Sequence, residues 1–158
     1  MDAESGVFTG YAAVFEQIDQ GRDVISRGAF SRSLRERGTQ TIKLLWQHDP
    51  KSPIGRLDMV REDGHGLFIQ ARLSLESIKG RDAFALLRSG AVDGLSIGYR
   101  VREALRDVRM RTRRLSDVDL WEVSLVTFPM QKAARVRAVN TMAGAMPLVM
   151  GRNENIRR

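Results

Sequence analysis

Residues 93–100 read Asp93-Gly94-Leu95-Ser96-Ile97-Gly98-Tyr99-Arg100. Gly94 to Gly98 matches G-x-S-x-G, the nucleophile-elbow pattern, in which a serine sits on a sharp turn between a strand and a helix. The residues just after the match decide the fold. Tyr99-Arg100-Val101-Arg102 alternates apolar and charged residues, the period of a strand with one wet face. A strand that runs on through the serine is not an elbow. The elbow's chain order also requires a histidine after the serine, and this chain has none there. Leu95, Ile97, Tyr99 and Val101 therefore share an apolar face. Ser96 and Gly98 lie on the other face with Arg100 and Arg102.

Working outward, the same alternation recurs. Val7–Gln17, Arg22–Ile25, Thr41–His48 and Ile54–Arg61 read as strands, and Pro50 and Pro53 as the bounds of a turn. Leu67–Leu75 has Leu67, Ile69, Ala71, Leu73 and Leu75 on one face, and Glu62-Asp63-Gly64-His65-Gly66 joins it to the preceding strand as a hairpin. Leu95–Ala104, Val108–Leu115 and Val118–Thr127 read as three more strands, the last stopped by Pro129. Two segments change period. Ser26–Arg37 pairs Phe30 with Leu34 and closes at Gly38. Ser77–Ser89 places Ala83, Phe84 and Leu87 on one face, with Ser77 as N-cap and Gly90 after its end. Seven or eight strands with two short helices predict an α+β fold built on a bent, mostly antiparallel sheet or barrel. Helices are too few for a parallel α/β fold.

The chain has 158 residues, 42% of them hydrophobic, which suits one domain with a sizeable core. It has no cysteine, so disulfides, thiolate metal sites and a cysteine nucleophile are excluded. No run of about 18 apolar residues is present to span a membrane. The start, MDAESGVFTG, lacks the basic and apolar regions of a signal peptide, so a cytoplasmic protein is expected. The two histidines show no metal-ligand spacing, and no glycine-rich phosphate loop occurs, so neither a metal nor a cofactor is expected.

Net charge is +7, concentrated in two places. From Gln131 onward six basic residues face one acidic residue, Glu154. Arg100, Arg102, Arg106, Arg109, Arg111, Arg113 and Arg114 form an internal cluster. Such clusters bind nucleic acid or acidic protein surfaces, or simply solvate a strand face. Aromatic residues are sparse among these arginines, which argues against a single-strand nucleic-acid platform. Residues 138–158 show no clear period and read as a basic tail, partly helical near Thr141–Met150.

Ser96 is either a surface strand residue or a nucleophile. A serine attacks only when a base takes its proton. His65, between glycines in a turn, reads as a solvated residue. His48 ends the strand that includes Leu44, Leu45 and Trp46, beside Asp49-Pro50. That is a rigid mount for a base, or a place where Asp49 or backbone satisfies the ring. A third group should orient the base. Glu122 stands in the apolar run Leu120-Trp121-Glu122-Val123-Ser124-Leu125-Val126, where a carboxylate must be paired or protonated. It serves either that role or an arginine.

Six stretches in order carry a family resemblance: Gly10–Phe15, Gly28–Phe30, Leu44–Pro50, Pro53–Gly55, Gly94–Tyr99 and Trp121–Pro129. Over about residues 8–137 the chain resembles the prohead (capsid maturation) proteases of tailed bacteriophages and gene-transfer agents, which are distantly similar to the herpesvirus assemblin proteases. The resemblance implies a bent, mostly antiparallel β-barrel of about seven strands with a few short helices. It implies a protease domain at 1–137 and a basic C-terminal tail at 138–158 that is flexible or processed. It implies a serine endopeptidase with Ser96 as nucleophile and His48 as base. Glu122 would be the third member where assemblins carry a histidine, and the oxyanion would be stabilised by backbone N–H groups or by an arginine, with Arg135 and Arg137 as candidates. The implied substrates are the scaffolding segment of the major capsid protein and the enzyme itself. The implied place is the assembling procapsid in the host bacterial cytoplasm. Homo-oligomers fit the resemblance; nucleic acid and membranes are not expected partners. The alternative is a non-enzymatic assembly or nucleic-acid-binding module that uses the arginine-rich strands.

Overall fold

The computed structural model describes residues 5–141 and 144–147. Its elements are β1 (Val7–Val14), β2 (Asp23–Ile25), α1 (Ser31–Arg37), β3 (Lys43–Trp46), β4 (Asp49–Glu62), β5 (Gly66–Leu73), α2 (Ile78–Arg88), β6 (Gly94–Asp107), β7 (Thr112–Val126), β8 (Val136–Thr141) and β9 (Gly144–Pro147). One sheet holds every strand, in the order β2-β7-β3-β4-β5-β1-β8-β9, with β6 on the other edge of β7. The β2/β7 and β3/β7 pairs are parallel and all others antiparallel. β2 and β3 share one edge of β7, β2 at Arg113–Leu115 and β3 at Glu122–Leu125.

The α+β class and the mostly antiparallel pairing agree with the sequence reading; the expected barrel does not form. Closure would need β6 to pair along β8. The chain before β8 meets β6 only in an isolated bridge, Gly94 to Arg135. β8 itself turns onto β1 and gives its second edge to β9.

Alternation explains the core. Leu67, Ile69, Ala71 and Leu73 of β5 are all buried, as are Leu95 of β6 and Leu120, Val123 and Leu125 of β7. Two helices cover this surface. Ser77 caps α2 by accepting from Gly80 N at 3.0 Å, and Ala83, Phe84 and Leu87 face inward. α1 begins at Ser31, later than the periodicity suggests, because residues 26–30 form turns. Its buried Ser33 hydroxyl accepts from Leu120 N at 2.8 Å, joining helix to sheet.

Three local readings are corrected. Pro50 and Pro53 lie inside β4, where its register with β3 is broken, so they mark strand irregularities rather than a turn. Residues 112–126 form one long strand instead of two, and Val108 belongs to the turn before it. The segment read as partly helical near Thr141–Met150 contains β9, a strand paired to β8. The sheet thus continues past residue 137 to Pro147, and residues 148–158 of the basic tail lie outside the described residues.

Candidate active site

Three neighbouring strands assemble the site. Across β3, β7 and β6 the register aligns Leu45, Ser124 and Ser96 in one row, and Lys43, Glu122 and Gly98 in the next. Directly opposed residues in a sheet project from the same face. Ser96, Gly98, Glu122 and Ser124 therefore share one face, while Leu95, Ile97, Val123 and Leu125 take the other. Gly98 is required here: a β-carbon at this position would collide with the Glu122 carboxylate, which lies over it.

His48 reaches this face through a backbone reversal. β3 ends at Trp46, and Gln47 and His48 both adopt left-handed conformations, φ 51° and 59°. Non-glycine residues hold such angles only when their surroundings compel it. Here β7 compels it. Gln47 N donates to Leu125 O at 2.9 Å, and His48 N donates to Ser124 Oγ at 3.0 Å. The Gln47 side chain donates to Thr127 Oγ1 at 2.7 Å and accepts from Thr127 N at 3.2 Å.

The result is a fixed imidazole. His48 Nδ1 hydrogen-bonds Glu122 Oε1. Ser124 Oγ donates to the other carboxylate oxygen, Oε2, at 2.8 Å. Of the two roles open to Glu122, partner to histidine or to arginine, the histidine is the one observed. Asp49 does not engage the ring; it accepts from Ser52 Oγ at 2.6 Å and Lys51 N at 2.9 Å. The Glu122 hydrogen bond raises the His48 pKa above the ordinary histidine value; burial opposes this, and the carboxylate's charge adds to it.

Ser96 is 4% exposed, so it is not the surface residue that simple alternation allowed. The segment 131–135 runs beside the start of β6, with Leu95 N donating to Ala134 O at 2.9 Å, and helps to bury it. Ser96 Oγ makes no hydrogen bond among the described residues, to His48 or to any other group. It is a wall of a small pocket shared with Ala12, Asp19, Ile25, Tyr99 and Met130.

The other candidates lie elsewhere. His65 is exposed and stacks edge-on against Tyr11 at 4.5 Å. Arg135 is held by Asp93 Oδ1 at 2.6 Å and Lys132 O at 2.9 Å, which occupies its guanidinium. Arg137 lies within electrostatic reach of Tyr11, by the Asp63 turn. Among the described residues no group of three or more His, Asp or Glu side chains is arranged to hold a metal ion.

The arginine cluster divides. Arg102 bonds Glu36 at 2.9 Å and lies 3.3 Å from Asp119. Arg113 makes a two-pronged pair with Asp23 at 3.0 and 2.9 Å, and Arg114 bonds Glu16 at 2.5 Å. Arg100, Arg106, Arg109 and Arg111 make no ion pair among the described residues.

Sequence reasoning missed Ser124, although it stands two residues after Glu122 in a strand and so had to share its face. The Gln47–Thr127 bond is not legible in the sequence, because it depends on the parallel β3/β7 register.

His48 and Glu122 are paired, and Ser96 lies on the same sheet face as Glu122 without a bond to either; these are the residue types that serine hydrolases use. The chain belongs to the Caudovirus prohead serine protease family, whose model matches residues 1–147. It is 30% identical over 145 residues to the prohead protease of Enterobacteria phage HK97, covering 90% of this chain and 64% of that protein. It is 28% identical over 128 residues to the prohead protease of Escherichia phage T5, covering 80% of this chain and 60% of that one. A capsid polyprotein of Pseudomonas phage PAJU2 is 26% identical over 148 residues, covering 90% of this chain and 21% of the polyprotein. The chain thus spans less than two-thirds of these relatives' lengths.

Solved structures share the fold. The bacteriophage T4 capsid assembly protease superposes with a TM-score of 0.62 at 14% identity, covering 82% of this chain and 92% of that chain. The varicella-zoster virus protease gives 0.53 at 14% identity, covering 83% of this chain and 62% of its own. No helix among the described residues is long and apolar enough to cross a membrane.

Proposed function

We propose that this chain is a serine endopeptidase that cleaves the scaffolding segment of the major capsid protein, and itself, as a procapsid matures in the host bacterial cytoplasm. Ser96 Oγ attacks the peptide carbonyl. His48 Nε2 takes its proton and returns it to the leaving amine. Glu122 keeps the Nδ1 proton in place and stabilises the imidazolium that forms.

One observation carries this reading. Nδ1 of His48 is committed to a carboxylate that is itself held from its other side, which leaves Nε2 free to act as the base. The missing Ser96–His48 hydrogen bond is compatible with it, since such contacts often tighten only when substrate binds. Family membership and the kinship with prohead proteases and a capsid polyprotein support capsid protein as substrate. The alternative of a nucleic-acid module is narrowed to Arg100, Arg106, Arg109 and Arg111, because Arg102, Arg113 and Arg114 are spent on ion pairs within the fold.

Co-expression with the cognate capsid protein tests the proposal by mass spectrometry. The wild-type chain is expected to trim the capsid protein, and Ser96→Ala to leave it intact while keeping its circular dichroism and melting temperature. Trimming that continues unchanged with Ser96→Ala would remove the serine from the mechanism.

A further inference from the structure

Beside the Gly98–Glu122 row, β7 carries one residue more than β6. Gly98 pairs with Glu122 and Tyr99 with Leu120, so Trp121 is an extra residue with no partner on β6. A bulge of this kind re-aims a side chain. Leu120 and Val123 on either side of it are fully buried and fill the core positions, while Trp121 is turned out and 52% exposed. It is turned toward the face that carries Ser96. Its Nε1 donates to Asp119 Oδ2 at 2.9 Å, and Asp119 stands opposite Arg100. Arg100 shares a face with Ser96 and Gly98, because β6 pairs residue by residue from Gly94 to Val101.

At its other end this face is closed. A β-carbon on Gly94 would lie 2.9 Å from Pro129 Cδ, and Val126, which pairs with Gly94, is 3% exposed. Exposure returns only past Ser96: Gly98 is half-buried and Arg100 is exposed. An extended chain that brings a carbonyl to Ser96 therefore runs over Gly98 toward Arg100. It passes Trp121 at roughly 7–13 Å from the serine, a span of about two to four residues.

The indole is held ready for contact. The bond to Asp119 fixes its edge, and Arg37 lies over the ring with Cζ 5.8 Å from the centroid. Arg37 is itself held by two hydrogen bonds to Asp119, at 2.6 and 2.9 Å. A fixed aromatic side chain with half its surface open loses little freedom when a partner packs on it. A cation already sits on this ring, and Arg100 nearby makes no ion pair among the described residues, so a second cation is disfavoured there. An apolar side chain meets no such repulsion.

We propose that Trp121 is a specificity residue, whose open surface receives an aliphatic or aromatic side chain of the substrate about two to four residues from the scissile bond. This rests on Ser96 being the nucleophile.

A peptide library cleaved by the wild-type chain should show leucine, isoleucine, methionine or phenylalanine enriched at one such position on one side of the cut. Trp121→Ala should reduce that preference over alanine about 10- to 100-fold, mainly through KM, and Trp121→Phe should keep most of it. Peptides with alanine at that position should be cleaved equally well by Trp121→Ala and wild type. No apolar preference, or a loss shared by all peptides alike, overturns the inference and leaves Trp121 as packing for Arg37. Cleavage that persists in Ser96→Ala overturns the serine assignment instead. A second measurement does not depend on turnover. In the Ser96→Ala protein, a peptide spanning the capsid-protein cut mapped by mass spectrometry should shift the Trp121 indole N–H resonance saturably. The same peptide with alanine at the apolar position should shift it far less. No saturable shift, or equal shifts from both peptides, also counts against the inference.

Discussion

The β6–β7 ladder is a different object at its two ends. At its root, Gly94–Gly98 faces Glu122–Val126, and both faces are covered: Leu95, Val123 and Leu125 are buried on one side, Ser96 and Ser124 on the other. At its tip the same strands project into solvent. Leu105 is 73% exposed and Val108 81%, and Arg106, Arg109 and Arg111 carry no ion pair among the described residues. One antiparallel pairing thus supports a preorganised polar site at one end and a wet, basic turn at the other. Basic residues are not all free toward the tip: Arg102 near the middle of the ladder binds Glu36, and Arg113 and Arg114, opposite Arg106 and Leu105, turn back onto Asp23 and Glu16. Charge density along a sequence therefore says little until the partners are known. Buried polar groups say more, because each must be answered by another.

If the root is the catalytic end, the largest effect after loss of the serine belongs to Glu122. Glu122→Gln should lower kcat/KM by roughly 10⁴-fold, since the amide favours the wrong tautomer of His48. It should also move the pH profile. His48 must be neutral to accept a proton, and its pKa is raised by Glu122, so activity climbs as pH rises through a value above about 6.5. Without the carboxylate that acidic limb should shift to lower pH, and a limb that stays put would show that Glu122 does not govern the base.

Gly98→Ala probes the same end without touching a reacting group. The new methyl must displace the Glu122 carboxylate, and a misplacement of that size should cost about 10²-fold in kcat/KM with little change in KM. Ser124→Ala leaves the His48 amide and Glu122 Oε2 short of a partner in a buried place. Denaturant unfolding should report a loss of about 1–3 kcal/mol. At the tip, Arg109→Ala with Arg111→Ala should change cleavage by less than about twofold, as expected for exposed substitutions. A large loss of trimming from the tip pair would mean that the substrate docks there, and the contrast between the two ends would have to be redrawn.

Much of this molecule is legible without its structure. Period-two alternation locates β5, and the continued alternation after Ser96 rules out an elbow, because both depend on neighbours along the chain. The pairing of His48 with Glu122 can be framed from residue type: a carboxylate in an apolar strand must find a partner. Closure of the sheet cannot be read, since it turns on which edge β8 chooses. Nor can the burial of Ser96, which depends on the 131–135 segment folding back from beyond β7. The prolines mislead because a strand tolerates them at irregular register, and the sequence does not announce irregular register.

The two left-handed residues at 47 and 48 have a consequence for heat. Each such angle costs on the order of 1–3 kcal/mol, held in place by bonds to Ser124, Leu125 and Thr127 at the border of the sheet. That reversal behaves like a cocked latch. Warming should release it before the core melts, so inactivation would precede the cooperative unfolding seen by calorimetry and would reverse on cooling.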